Sequence, residues 1–213
     1  MKASRREFVA GLAALGAVLA SPLSVQAAGG PEFTPVVPAQ PVEDASKIEV
    51  LEFFSYGCPH CYEFSPVLGL WASKLPADVV LRKVPVSFGR AAWGNLSRLY
   101  YALEVTGDVA RLESDIFKAV HAERQNLFDE KGAADWVAKK GLDVKKFSDA
   151  FNSFGVMSKV KRADQMAQAF KISGVPALAV DGKYLVGGKD FAETLAITDK
   201  LISKVRSEKG GKK

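Results

Sequence analysis

What this chain lacks narrows its chemistry first. Among its 213 residues there are two cysteines, Cys58 and Cys61, and two histidines, His60 and His121. A zinc site takes about four ligands, and His60 sits between the cysteines with little freedom to share a metal with both. Beyond the first residues, no apolar run reaches the roughly 20 residues that a membrane-spanning helix needs. No basic stripe interleaved with aromatics is present, which leaves nucleic-acid binding without support. There is no internal repeat.

The first residues have the pattern of an export signal. Lys2, Arg5 and Arg6 form a basic start, and Phe8 to Ala20 is apolar and uncharged. Val25-Gln26-Ala27 offers a small-residue cleavage signature, so residues 1–27 read as a signal peptide and the mature chain is expected to begin at Ala28. Ser4-Arg5-Arg6-Glu7-Phe8 resembles a twin-arginine export pattern, with an ordinary secretory signal as the alternative. Both routes lead to the periplasm of a bacterium-like cell, where disulfides persist. Removing this segment takes away three of 29 basic and one of 24 acidic residues, which leaves a mild excess of three positive charges. The remainder can bury one full core, with room for an insertion.

What is present is concentrated in Cys58-Pro59-His60-Cys61, at the point where an apolar strand gives way to a helix. Two thiols at this spacing can close a short, reactive disulfide. The first lies among the free N–H groups of a helix start, which favour its thiolate. A structural disulfide would more usually close a longer loop. Redox catalysis is the reading these residues support, with a structural disulfide and a metal pair as the alternatives.

Around this motif the chain divides into an α/β core and a helical middle. Gly29 to Pro41 carries four prolines and suggests an extended lead-in, suited to an edge strand. Ile48 to Phe54 is a strand covered on both faces. Pro59 fits the first helical position, and Phe64, Val67, Leu68, Trp71 and Leu75 make one buried helix face, kinked at Pro66. Val79 to Val86 completes a βαβ unit with the cysteines at the carboxyl end of its first strand, where sites are commonly built. From Ala91 to Phe170 the pattern predicts helices over 91–105, 108–123, 129–140, 143–153 and 155–170, punctuated by Gly107, Gly141 and Gly155. Aromatics such as Trp93, Tyr100, Phe117 and Trp136 read as core, and His121, placed mid-helix, as structural or surface. Asp181-Gly182 between two short apolar runs predicts a hairpin over 177–186. Asp190 with Glu193 caps a final helix over about 191–206, followed by a flexible tail, 209–213.

Two charges stand out. Glu52 shares a strand face with Ile48, Val50 and Phe54, and Lys83 shares one with Val79 and Leu81. Buried charges are expensive unless paired. The alternative is two strand-end charges that reach solvent.

The order of strand, C-x-x-C helix and strand, then helices, then Gly174-Val175-Pro176 opening a hairpin, resembles the thioredoxin fold. Glu52 to Tyr62, with its C-P-H-C core, resembles the active-site segment of the DsbA family of periplasmic disulfide-forming proteins. The likeness extends over about 30–207. It implies a thioredoxin-like α/β fold with a helical insertion, in which residues 28–88 and 165–208 form the discontinuous core and 89–164 the insertion. It also implies that Cys58 is the attacking cysteine, that Cys61 is its buried partner, and that the Pro59-His60 dipeptide tunes the thiolate. Val175-Pro176 would form a cis-peptide loop facing the disulfide and, with Gly174, hold an extended substrate segment. Glu52 and Lys83 would form an acid–lysine pair that moves the buried thiol's proton. Ser65-Pro66 stands where family members carry acids, so charge near that helix differs here.

The resemblance further implies a protein disulfide oxidoreductase that acts on exported proteins with free cysteines. A DsbB-type membrane oxidase would reoxidise it. It would need no cofactor beyond its disulfide, hold no metal, bind no nucleic acid and work as a monomer. The alternatives are an isomerase or reductant, which in this group adds a dimerisation domain, and a non-catalytic chaperone-like domain with a structural disulfide.

Overall fold

The computed structural model describes residues 32–211. The expected signal segment 1–27, the start at Ala28, and Lys212 and Lys213 lie outside the described residues. Strand β1 (Phe33–Pro35) is followed by β2 (Ile48–Phe54), helix α1 (Pro59–Ala72) and β3 (Val79–Pro85). Five helices come next: α2 (Ala91–Thr106), α3 (Val109–His121), α4 (Glu130–Lys139), α5 (Val144–Phe151) and α6 (Phe154–Ala169). The chain then returns to β4 (Ala177–Val180), β5 (Tyr184–Val186) and α7 (Phe191–Gly210).

The strands form one sheet in the order β1-β5-β4-β2-β3. Strands β2 and β3 are parallel and the other pairings antiparallel. All seven residues of β2 are buried, because the strand lies inside the sheet with helices on both faces. On one face, Ile48 and Val50 pack with Val180, Ile197 and Leu201 beneath α7. On the other, Leu51 and Phe53 join the large cluster that fills the space among α2 to α6. In the parallel register Glu52 lies directly opposite Lys83, and Leu51 opposite Arg82.

The local signals explain most of this. Asp181 and Gly182 both have positive φ, 52° and 66°, as the tight hairpin turn requires. Gly182 is required a second time, since a Cβ there would come within 2.0 Å of the Gln40 carbonyl oxygen. Side chains of Asp129, Asp143, Ser153 and Asp190 accept backbone N–H bonds and cap α4 to α7. Gly107 ends α2 in the left-handed region at φ 82°.

Four expectations are corrected. Val67 is exposed, because the buried stripe of α1 runs through Phe64 and Leu68. Gly155 does not end a helix. It lies in the first turn of α6, which starts from the Ser153 cap. The last helix continues to Gly210, and Lys209 is not frayed. Its ammonium bonds the carbonyl of Lys47 at 2.6 Å and pairs with the buried Asp181 at 2.8 Å. His121 is not mid-helix. It ends α3, close to the cysteines. Among the described residues, no helix is long and apolar enough to cross a membrane.

Candidate active site

Strand β2 ends at Phe54, and Ser55-Tyr56-Gly57 turns the chain into α1. The turn is tight: the Cys58 N–H donates to the Ser55 carbonyl at 3.0 Å and the Gly57 N–H to Ser55 Oγ at 3.2 Å. Cys58 caps α1 with extended backbone, and Pro59 takes the first helical position, where no amide donor is needed. Gly57 has a steric reason: a Cβ there would lie 2.6 Å from Trp93 Nε1 of α2. Trp93 therefore roofs the turn. Arg90 stacks over its ring at 4.7 Å.

The two thiols are free and differ sharply in setting. Cys61 is fully buried, whereas Cys58 retains 6% exposure at the rim. As a thiol, Cys58 donates to the Val175 carbonyl at 3.3 Å. Its pKa is lowered to about 6, first by hydrogen bonding from Cys61. Burial opposes this, and the backbone N–H groups of Cys61 and His60, then the charge of His60, add to it. Burial pushes the Cys61 thiol far up, and hydrogen bonding to Cys58 pushes it further. The contact with Val175 and the contact from Cys61 therefore belong to different protonation states of Cys58.

The Val175–Pro176 peptide is cis and faces the cysteines. Beside it lies a cleft of about 210 Å³ lined by His60, Val175, Pro176 and Phe191 among others. Gly174 is exposed, and a Cβ there would meet nothing within 4 Å, so space does not demand glycine. His60 is exposed, and its Nδ1 lies 3.1 Å from Glu63 Oε2.

Beneath the cysteines, Glu52 is buried with 1% exposure, and its Oε2 lies 3.1 Å from Lys83 Nζ. Lys83 also touches Glu113 of α3 directly. Burial raises the Glu52 pKa; Lys83 works against that and Glu113 adds to it. Lys83 is held above its usual value, because Glu52 and Glu113 outweigh the burial that works against its charge. Lys83 and Glu113 open onto a cleft of about 530 Å³ between α1 and α3, which Tyr62, Ser65 and Pro66 also line.

The structure thus brings Cys58, Pro59, His60, Val175 and Pro176 to one rim, with Cys61 buried behind Cys58 and Glu52 and Lys83 below. Three residues escaped sequence reasoning as parts of this site: Glu113, Trp93 and His121. His121 Nε2 contacts the Tyr56 carbonyl at 2.8 Å, and its ring stacks on Tyr62 at 5.2 Å. All three come from the helical middle, and no local pattern marks them. Among the described residues, no three His, Cys, Asp or Glu side chains group as metal ligands. His60 turns to Glu63, and His121 to a backbone carbonyl.

A family model for the DSBA-like thioredoxin domain matches residues 49–197. The thiol:disulfide interchange protein DsbA of Bordetella pertussis is 41% identical over 198 residues, covering 91% of this chain and 94% of that protein. The protein of the same name from Pseudomonas aeruginosa is 38% identical, covering 84% of this chain and 85% of its own length. Among solved structures, Pseudomonas aeruginosa DsbA superposes with a TM-score of 0.80 at 37% identity, covering 85% of this chain and 95% of that one. DsbA of Xylella fastidiosa superposes with a TM-score of 0.78 at 32% identity, covering 83% and 96% respectively.

Proposed function

The chain belongs to the family of DSBA-like thioredoxin domains, and on that premise we propose that it is a thiol:disulfide oxidoreductase that donates a Cys58–Cys61 disulfide to exported proteins. The observation that carries this reading is the asymmetry of the two sulfurs: an acidic thiol at the rim and a buried one whose thiolate is disfavoured. A structural disulfide has no use for such a pair.

In the reaction, a substrate thiolate attacks Cys58 Sγ of the disulfide. The S–S bond breaks and its electron pair leaves on the Cys61 sulfur, which takes up a proton. A second substrate thiolate then attacks the substrate sulfur of the mixed disulfide, and Cys58 departs as a thiolate. The substrate loses two electrons and the cysteine pair gains them. A low Cys58 pKa makes it a good leaving group and keeps it ionised at neutral pH. Glu52, in its protonated form, is the donor to Cys61, and Lys83 holds its carboxylate once the proton has left. Pro59 starts the helix whose amides stabilise Cys58, and His60 adds an N–H and, when protonated, a charge.

An oxidant of many chains must hold extended segments without reading their sequence. Backbone pairing does this, and the Val175 main chain between Gly174 and Pro176, beside Cys58, supplies it. Once Cys58 is ionised or disulfide-bonded, it has no proton to donate, and the Val175 carbonyl is free for a peptide N–H. Residues 28–88 and 165–208 act as the thioredoxin-like core and 89–164 as the insertion. The chain works as a periplasmic monomer without a cofactor beyond its disulfide, and a DsbB-type membrane oxidase restores that disulfide.

The test is to mix the oxidised protein with a reduced, unfolded dithiol protein and follow both thiol pools. Stoichiometric transfer is expected, with loss of transfer in Cys58→Ser. Transfer that survives Cys58→Ser overturns the reading. For the peptide site, a substrate trapped on Cys58 of Cys61→Ala is expected to bond the Val175 main chain, and a bound peptide without that contact refutes the groove.

A further inference from the structure

Lys83 is shared. Its ammonium contacts Glu52, almost wholly buried, and Glu113, which lines the cleft between α1 and α3. The three groups hold two potential negative charges and one positive one. A buried cluster with one carboxylate in excess favours keeping a proton, and two interacting acids titrate as a pair. The geometry decides where that proton sits. Glu113 has side-chain exposure of 20% against 1% for Glu52, so solvent supports charge on Glu113 and burial opposes it on Glu52.

The cleft supplies the route. Glu113 is the one carboxylate among its lining residues, and the α1 side contributes Ser65 and Pro66, which carry no charge. Glu52 Oε1 and the Tyr56 hydroxyl are both buried without a hydrogen-bond partner.

We propose that Glu113 is the outer member of a three-residue proton relay, setting through Lys83 whether Glu52 holds a proton and refilling Glu52 from the cleft. This rests on the reading of Glu52 as proton donor to Cys61. When the disulfide opens, Glu52 loses its proton to the Cys61 sulfur and becomes an anion beside Lys83. A proton from solvent then enters through Glu113 and returns to Glu52. No electrons move in these steps. Glu113 touches neither sulfur, so it is a positioning residue that acts through Lys83. The groups that face it are Lys83 from β3, Glu52 from β2, Tyr56 from the turn, Tyr100 from α2 and Tyr62 from α1.

The test uses the oxidised full chain and stopped-flow exchange with a dithiol peptide, with the rate expressed per substrate thiolate across pH. In the parent the rate falls as pH rises through the Glu52 titration. Glu113→Gln removes a like charge from beside Glu52 and leaves Lys83 to it alone. The fall is therefore expected about one pH unit lower, while Glu113→Asp keeps the parent profile. If Glu113→Gln superposes on the parent while Glu52→Gln moves the profile, the Glu113 proposal is overturned and the Glu52 reading stands. If neither moves it, both fail. Should Glu113→Gln not fold, carbon NMR of the labelled Glu52 carboxyl in the unaltered protein decides: a two-step pH response is expected, and a single step overturns the proposal.

Discussion

Two buried carboxylates sit three residues apart on β2 and face opposite sides of the sheet, each paired with a cation of β3. Glu49 meets Arg82 Nε at 3.0 Å, and Glu52 meets Lys83 Nζ at 3.1 Å. Both acids are almost fully buried, at 2% and 1% exposure. Burial therefore does not tell them apart. The cation and its surroundings do. Arg82 is also tied to Glu43 at 3.3 Å, and its planar fork holds both acids, so that pair is a fixed clamp. Lys83 also has a second acid, but Glu113 is 20% exposed where Glu43 is 70%, and Glu52 lies near enough to Cys61 to act on its thiol, so that pair can change state. A buried acid points to chemistry when its pairing is not fixed and a reacting atom lies near.

The largest expected effect breaks the clamp. Arg82→Leu leaves Glu49 buried without compensation and should cost about 3 to 5 kcal/mol in a denaturant melt. Disulfide exchange per folded molecule should not change; a slower exchange would show that the two sides of the sheet are coupled. Next is the redox dependence of stability. The folded pKa of Cys58 is depressed to about 6 from 9.0, so its thiolate stabilises the reduced form fully above the unfolded value, and this is lost as pH falls through about 6. Reduced minus oxidised stability should grow by roughly 1 to 3 kcal/mol between pH 6 and 8, as read by parallel urea melts. A flat difference would break the assignment.

Glu52→Gln sharpens the contrast from the other side. The raised pKa of Glu52 means that the protonated acid supports the fold, and this support is lost as pH rises through the folded value. The variant should therefore match or exceed the parent by roughly 1 kcal/mol at pH 8, with an altered pH profile of exchange. A large destabilisation would make Glu52 a second clamp. The smallest effect is expected from His60→Ala. Cys61 and two backbone donors remain, and the charge of His60 ranks last among the causes. The Cys58 pKa should rise by less than about one unit in a thiolate absorbance titration.

Much of this is legible in the sequence. Alternation set Glu52 and Lys83 each on an apolar strand face, the family likeness implied that they pair, and the parallel register makes them direct partners. Asp181-Gly182 and the Asp190 cap are local signals and needed no tertiary help. Glu113 was illegible, because its approach to Lys83 depends on how α3 packs on α1. Trp93 and His121 were hidden for the same reason. Lys209 was misjudged from the glycine and lysine composition of the chain end, since its anchor, Asp181, is a buried charge remote in sequence.

The contacts that Trp93, Glu113 and His121 make with the cysteine region bear on how separable the protein's parts are. Excising residues 89–164 to obtain a minimal scaffold would retain both sulfurs, the α1 start and the Val175 loop. It would also strip the roof from Gly57, the second acid from Lys83 and the tether from Tyr56. An engineer shortening this chain would keep the redox pair with its own donors and lose the packing around it. Moving the four-residue motif into a bare thioredoxin frame would carry over the donors that acidify Cys58 but not the acid pair beneath Cys61.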